Sequence, residues 1–135
     1  MSFADPQVGR SVICGPGPAA PMVTLAGTVY EGDIIGYSTG WKQSLATVSS
    51  VINPQLVALK GGKSGDVIPV ATVCVVKGYT GATPGALIYL AEGSDSGKVT
   101  ETAPSTTNDV NTVIGVALSD TEVAFNLTNK QTLSS

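Results

Sequence analysis

The 135-residue chain has no histidine, two cysteines, one arginine and seven aromatic residues. The missing histidine removes imidazole bases, histidine-based triads and the usual zinc ligand sets. Cys14 and Cys74 can neither complete a tetrahedral metal site alone nor form a disulfide framework. Both are expected to be reduced, with Cys74 in an apolar run behaving as a small buried hydrophobe and Cys14 sitting in a Gly/Pro segment. Charge is also scarce: 13% of residues are ionised and the net charge is −3. The bases Arg10, Lys42, Lys60, Lys63, Lys77, Lys98 and Lys130 are scattered, so no stripe follows a phosphate backbone and nucleic-acid binding is not expected. Long hydrophobic runs are absent too. The longest, Val70 to Val76, is interrupted by Thr72 and too short to span a bilayer, and Met1-Ser2-Phe3 opens no basic-then-apolar leader, so synthesis in a cytosol without membrane association is predicted. A surface this poor in ions suits partial cover by partner chains.

What the sequence does hold is Gly (16), Pro (8) and an abundance of Val, Thr and Ala, a composition for strands and turns in a single small domain. From Gly78 to Leu127, short apolar runs (Leu87 to Leu90, Val113 to Leu118, Val123 to Leu127) alternate with Gly, Pro, Ser, Asn and Asp clusters, which predicts antiparallel strands joined by turns. In Glu122 to Leu127 the period of two is cleanest, with Val123, Phe125 and Leu127 on a buried face and Glu122, Ala124 and Asn126 on a wet one. A glycine-led turn feeding an apolar strand recurs at Gly32-Asp33-Ile34-Ile35, Gly65-Asp66-Val67-Ile68 and, without the acid, Gly85-Ala86-Leu87-Ile88. In the first two, the aspartate is placed to cap free backbone N–H groups. The unequal spacings of 33 and 20 residues argue for hairpin entries and against a solenoid.

Residues 1–21 carry Pro6, Pro16, Pro18 and Pro21 with Gly9, Gly15 and Gly17, and are predicted to form an extended arm. That arm is either a tail without fixed structure or a segment that orders against a neighbouring subunit through Phe3, Val12 and Ile13. Met22 to Leu127 is the β domain and 128–135 a polar tail. Between Trp41 and Leu59 the β-branched residues favour a strand at Trp41 to Thr47, a loop through Asn53-Pro54 and a second strand at Leu56 to Leu59, followed by a surface turn over Lys60 to Gly65. Val67 to Val76 is apolar on both faces and is predicted to be central in a barrel or sandwiched between the sheet and another subunit, with Pro69 marking an edge or bulge.

Candidate chemistry fails on spacing. Gly62-Lys63-Ser64 looks like the end of a phosphate loop, but Val57 stands where the first glycine is needed and a strand follows where a helix should. The acid pairs Glu31/Asp33, Glu92/Asp95 and Asp120/Glu122 lie in turns and are expected to be solvated, and Asp95-Ser96-Gly97 lacks the further oxygens of a calcium loop. Asn126-Leu127-Thr128 matches a glycosylation acceptor inside a predicted strand of a non-secreted chain. The residues Tyr30, Tyr37, Trp41, Tyr79 and Tyr89 are expected to be core or interface anchors, the alternative being a sugar-stacking platform. No enzyme, metal or cofactor is predicted.

The cadence Leu56-Val57-Ala58-Leu59-Lys60-Gly61-Gly62-Lys63-Ser64-Gly65-Asp66-Val67-Ile68-Pro69-Val70, then Gly85-Ala86-Leu87-Ile88-Tyr89-Leu90, Gly97-Lys98-Val99-Thr100 and Ile114-Gly115-Val116-Ala117-Leu118, resembles the small capsid decoration, or cement, proteins of tailed bacteriophages over roughly residues 22–127. The resemblance implies an all-β, β-barrel or β-tulip-like module with an extended N-terminal arm. It implies a virion structural protein on the outer surface of the capsid, bridging subunits of the major capsid protein and reinforcing the shell against internal DNA pressure. Such proteins are commonly homotrimers at local three-fold positions, with dimers at two-folds. On this reading Val73, Val75 and Val76 make the self-contact, and Phe3, Val12 and Ile13 of the arm contact the capsid or a neighbour. The alternative is a phage fibre or receptor-binding module that takes carbohydrate through Trp41 and the tyrosines.

Overall fold

A computed structural model describes residues 5–14, 21–44, 52, 54–91, 97–101 and 113–127. Among the described residues there is no helix, and eleven strands form two antiparallel sheets. The strands are β1 (Ser11–Cys14), β2 (Met22–Thr24), β3 (Ile34–Tyr37), β4 (Trp41–Gln43), β5 (Leu56–Ala58), β6 (Val67–Ala71), β7 (Val73–Lys77), β8 (Leu87–Leu90), β9 (Val99–Thr100), β10 (Val113–Ala117) and β11 (Glu122–Asn126). A six-stranded sheet runs β1-β7-β11-β10-β8-β9 and a five-stranded sheet runs β2-β6-β5-β3-β4. The expected all-β class holds, but the sheets do not close into a barrel.

The recurring glycine turn is one physical device used three times. Asp33 N donates to Tyr30 O, Asp66 N to Lys63 O and Ala86 N to Thr83 O, each at 2.9 Å. The third residue of each turn is a glycine with φ of +85°, +96° and +86° (Gly32, Gly65, Gly85), the type II geometry that only glycine adopts without strain. In the first two, the aspartate carboxylate also accepts the N–H three residues back, Tyr30 N at 2.9 Å and Lys63 N at 3.0 Å. Each turn delivers the chain into β3, β6 or β8.

The apolar run Val67 to Val76 is two strands and not one two-faced strand. β6 belongs to the five-stranded sheet and β7 to the six-stranded sheet, and the chain changes sheet at Thr72, whose carbonyl accepts the N–H of Leu127 at 2.8 Å. Each strand alternates on its own, with Ile68 and Val70 of β6 buried on the far face of the five-stranded sheet and Cys74 and Val76 of β7 buried between the two sheets. The even-numbered residues are buried in both strands, but those of β6 and those of β7 enter different cores, and Ala71 of β6 faces the core of β7, so the run reads as apolar on both faces.

The larger core lies between the sheets. Ile34, Val57 and Ala71 from one side meet Cys74, Val76, Ile88, Leu90, Ile114, Val123, Phe125 and Leu127 from the other. The five-stranded sheet is buried on its far face as well, where Ile35, Ala58, Ile68 and Val70 pack under Leu25 and Val29. The segment 25–29 is held there by the bridges Leu25 to Trp41 and Val29 to Gly62. The six-stranded sheet has no such cover among the described residues, and that asymmetry positions the site.

Residues 11–14, expected within an extended arm, are extended but pair with this chain's own β7: Ser11 opposes Lys77, Val12 opposes Val76 and Cys14 opposes Val75 across a bulge. Phe3, the side chain of Cys14 and the tail 128–135 lie outside the described residues.

Candidate functional site

The outer face of the six-stranded sheet is set by register. Val123 and Phe125 point inward, so Glu122, Ala124 and Asn126 point outward, as the sequence period predicts. The ladder places Lys77 opposite Glu122, Val75 opposite Ala124 and Val73 opposite Asn126. On the other side of β11, Ala124 opposes Val116, which opposes Leu87 of β8. One uninterrupted row, Val75-Ala124-Val116-Leu87, therefore crosses four strands without a polar side chain. Charge appears only at one end of the face, in the Lys77/Glu122 pair, and a single amide, Asn126, at the other.

Val73 is 55% exposed and Leu87 50% exposed, and they rim a trough of about 370 Å³ floored by Gly115, Val116 and Ala124. The small residue at position 124 makes the dip between two bulkier rows. Single exposed apolar residues are ordinary on protein surfaces, but a contiguous row with a concave centre marks a contact site.

Of the residues expected at contacts, Val73 and Val75 lie on this face. Val76 does not: it is fully buried in the core between the sheets, because it falls on the inward parity of β7. Val12 is half-buried against the same core, and Ile13, on the edge strand β1, is 47% exposed.

Beneath β1 lies a buried ion cluster that the sequence reading missed. Arg10 and Asp33 have fully buried side chains, and Asp5 is nearly so. The guanidinium donates to both carboxylate oxygens of Asp5 at 3.2 and 3.1 Å, to an oxygen of Asp33 and, through Nε, to Gln7 O at 3.0 Å. Asp33 also accepts from Tyr30 N, Gln7 Nε2 at 3.1 Å and Gln43 Nε2 at 2.7 Å, so a residue expected to be a solvated turn acid is a saturated buried anion. Its turn partner Glu31 accepts from Val12 N at 2.8 Å, tying β1 down at a second point. Burial works against the Arg10 charge, but Asp5, Tyr79 and Asp33 outweigh it and hold the guanidinium above its ordinary pKa. Desolvation raises the Asp5 carboxyl above its ordinary value despite Arg10, and burial likewise raises the Tyr79 hydroxyl.

This cluster anchors the N-terminal segment to the turn before β3. Its cation is already enclosed by the carboxylates, and among the described residues no group of three or more His, Cys, Asp or Glu is placed to hold a metal ion. The one signal for it in the sequence was that the lone arginine sits in the N-terminal segment while every other base is lysine; a planar five-donor fork suits a buried pair where an ammonium does not.

The aromatic residues are divided among separate places. Tyr37, 62% exposed, meets Trp41 edge-on across the β3–β4 hairpin at 5.4 Å, and Tyr79 packs inside against Phe125 at 6.5 Å. Tyr89 is in the other sheet, opposite Val113.

Comparison with family models, with curated proteins and with solved structures finds no match to this chain.

Proposed function

We propose that this chain is a non-enzymatic structural protein of a phage head, bound to the outer surface of the shell, bridging subunits of the major capsid protein and stabilising them. The observation that carries the reading is the apolar row Val75-Ala124-Val116-Leu87, uncovered among the described residues, on a sheet whose counterpart is covered by its own chain. A protein with such a face is completed by contact with another surface. The resemblance of residues 22–127 to decoration proteins supports the shell as the larger partner. Ile13, 47% exposed on the edge strand β1, offers the shell a further apolar contact.

The test is addition of the purified chain to undecorated heads, followed by co-sedimentation and measurement of heat resistance. Saturable binding that raises the temperature of shell disruption is expected, and absence of any binding overturns the reading. The exposed Tyr37, edge-on to a partly buried Trp41, favours a second reading, a carbohydrate-binding fibre or receptor module. That reading predicts glycan affinity abolished by Trp41→Ala, with no affinity for heads.

A further inference from the structure

We infer that the occupant of the part of this face formed by β1, β7, β11 and β10 is a second copy of this chain, related by a two-fold axis that runs parallel to the strands between β7 and β11. The inference rests on reading that face as a contact surface, and it names the partner.

Register carries it. Such an axis lays β7 on the copy's β11 and β11 on the copy's β7, keeping every residue at its level along the strands. Since Lys77 opposes Glu122 within the sheet, Lys77 then faces the copy's Glu122, and Glu122 the copy's Lys77. Neither side chain has an ion pair within the chain among the described residues. One level along, Val75 faces the copy's Ala124, a bulky residue set over the small one that makes the trough. Charge and volume are thus complementary about one axis, the self-matching that an isologous contact requires. A three-fold ring needs two different surfaces, whereas this face matches itself. Two sheets packed face to face in this way stand about 10 Å apart.

The stretches 102–112 and 128–135, which precede β10 and follow β11 in sequence, hold Val110 and Leu133 as their only large apolar residues. Four strands by three levels bury about 400 Å² per copy, about 800 Å² in all, short of the ~1,000 Å² of a stable specific interface. The pair is therefore weak, dissociating on the order of tens of micromolar.

Sedimentation velocity of the full chain alone, from about 5 to 500 μM, is expected to show a monomer–dimer equilibrium in that range. Lys77→Glu and Glu122→Lys each put like charges across both contacts and should weaken self-association about tenfold or more. An equimolar mixture of the two variants should restore it to within about threefold of wild type, because the mixed pair has opposite charges at both contacts. Repulsion between neighbouring strands inside one chain is unaffected by mixing, so this rescue reports the contact between chains. Thermal melts confirm that the variants fold, and Ala124→Arg, which fills the trough with a charge, serves as a second disrupting variant. A chain that stays monomeric throughout, a trimer, or a mixture no more associated than its components overturns the inference. Binding to heads by a strictly monomeric chain would overturn the two-fold pair and leave the shell reading standing, whereas a pair with no affinity for heads would do the reverse.

Discussion

Gly97 stands so close to Asp33 that a Cβ built on it would come within 2.8 Å of the Asp33 carboxyl carbon. The same glycine has φ of +80°, its N–H donates to Ser44 O at 2.7 Å, and its carbonyl accepts from Ile34 N at 3.2 Å. Gly97, two residues before β9, thus closes over the buried anion by backbone alone.

Gly97→Ala should therefore destabilise by about 2–4 kcal/mol, combining the strained backbone with displacement of a saturated carboxylate. Gly65→Ala is the control: its φ is also positive, but a Cβ there meets nothing within 4 Å. It should cost only about 1 kcal/mol, the backbone part. Chemical denaturation of the two variants measures the difference, and equal losses would mean that the Gly97–Asp33 approach is unimportant.

Arg10 couples the N-terminal segment to both sheets, so removing one partner leaves an uncompensated buried charge. Arg10→Ala should cost about 3–5 kcal/mol. The Arg10→Met, Asp33→Asn double variant should lose less than the sum of its singles, because neither charge is then stranded. A double-mutant cycle by urea unfolding checks this, and strict additivity would show that the pair does not interact.

Asp5 supplies a pH signature. Burial raises its pKa above the ordinary 3.8, so the folded state holds the proton more tightly than the unfolded chain. Its contribution to stability is full below pH 3.8 and is lost as pH rises through the higher folded value. Asp5→Asn cannot titrate there, so wild-type stability minus variant stability should fall as pH rises across that window. Paired denaturation curves from acid to neutral pH read this directly, and a difference that grows with pH would contradict the burial of Asp5.

The legible parts of the fold were those fixed by local chemistry. The period of two in Glu122 to Leu127 and the Gly-Asp turns at 32–33 and 65–66 need no distant partner to be read. The sheet change at Thr72 was hidden because an apolar run carries no mark of where its hydrogen bonds change owner. Asp33 was hidden because burial of a turn acid depends on Arg10, 23 residues earlier. The outer face was half legible: of the three valines singled out in the sequence, Val73 and Val75 have its parity and Val76 does not, but the row through Ala124, Val116 and Leu87 exists only once four strands are aligned.

Val75 and Val76 are adjacent in sequence and opposite in consequence. Val76 is sealed in the core between the sheets, so Val76→Ala removes packed methyl groups and should cost about 2 kcal/mol or more in folding stability. Val75 points out of the sheet beside Ala124, so Val75→Ser should change stability by no more than about 0.5 kcal/mol. If the outer face is where this protein meets other chains, the order reverses in a contact assay. Val75→Ser should weaken self-association and Val76→Ala should not, at temperatures where both remain folded. Thermal melts and sedimentation on the same two variants give four numbers, and only an exchange of rank between the two measurements is consistent with a sheet that buries one parity for stability and exposes the other for contact.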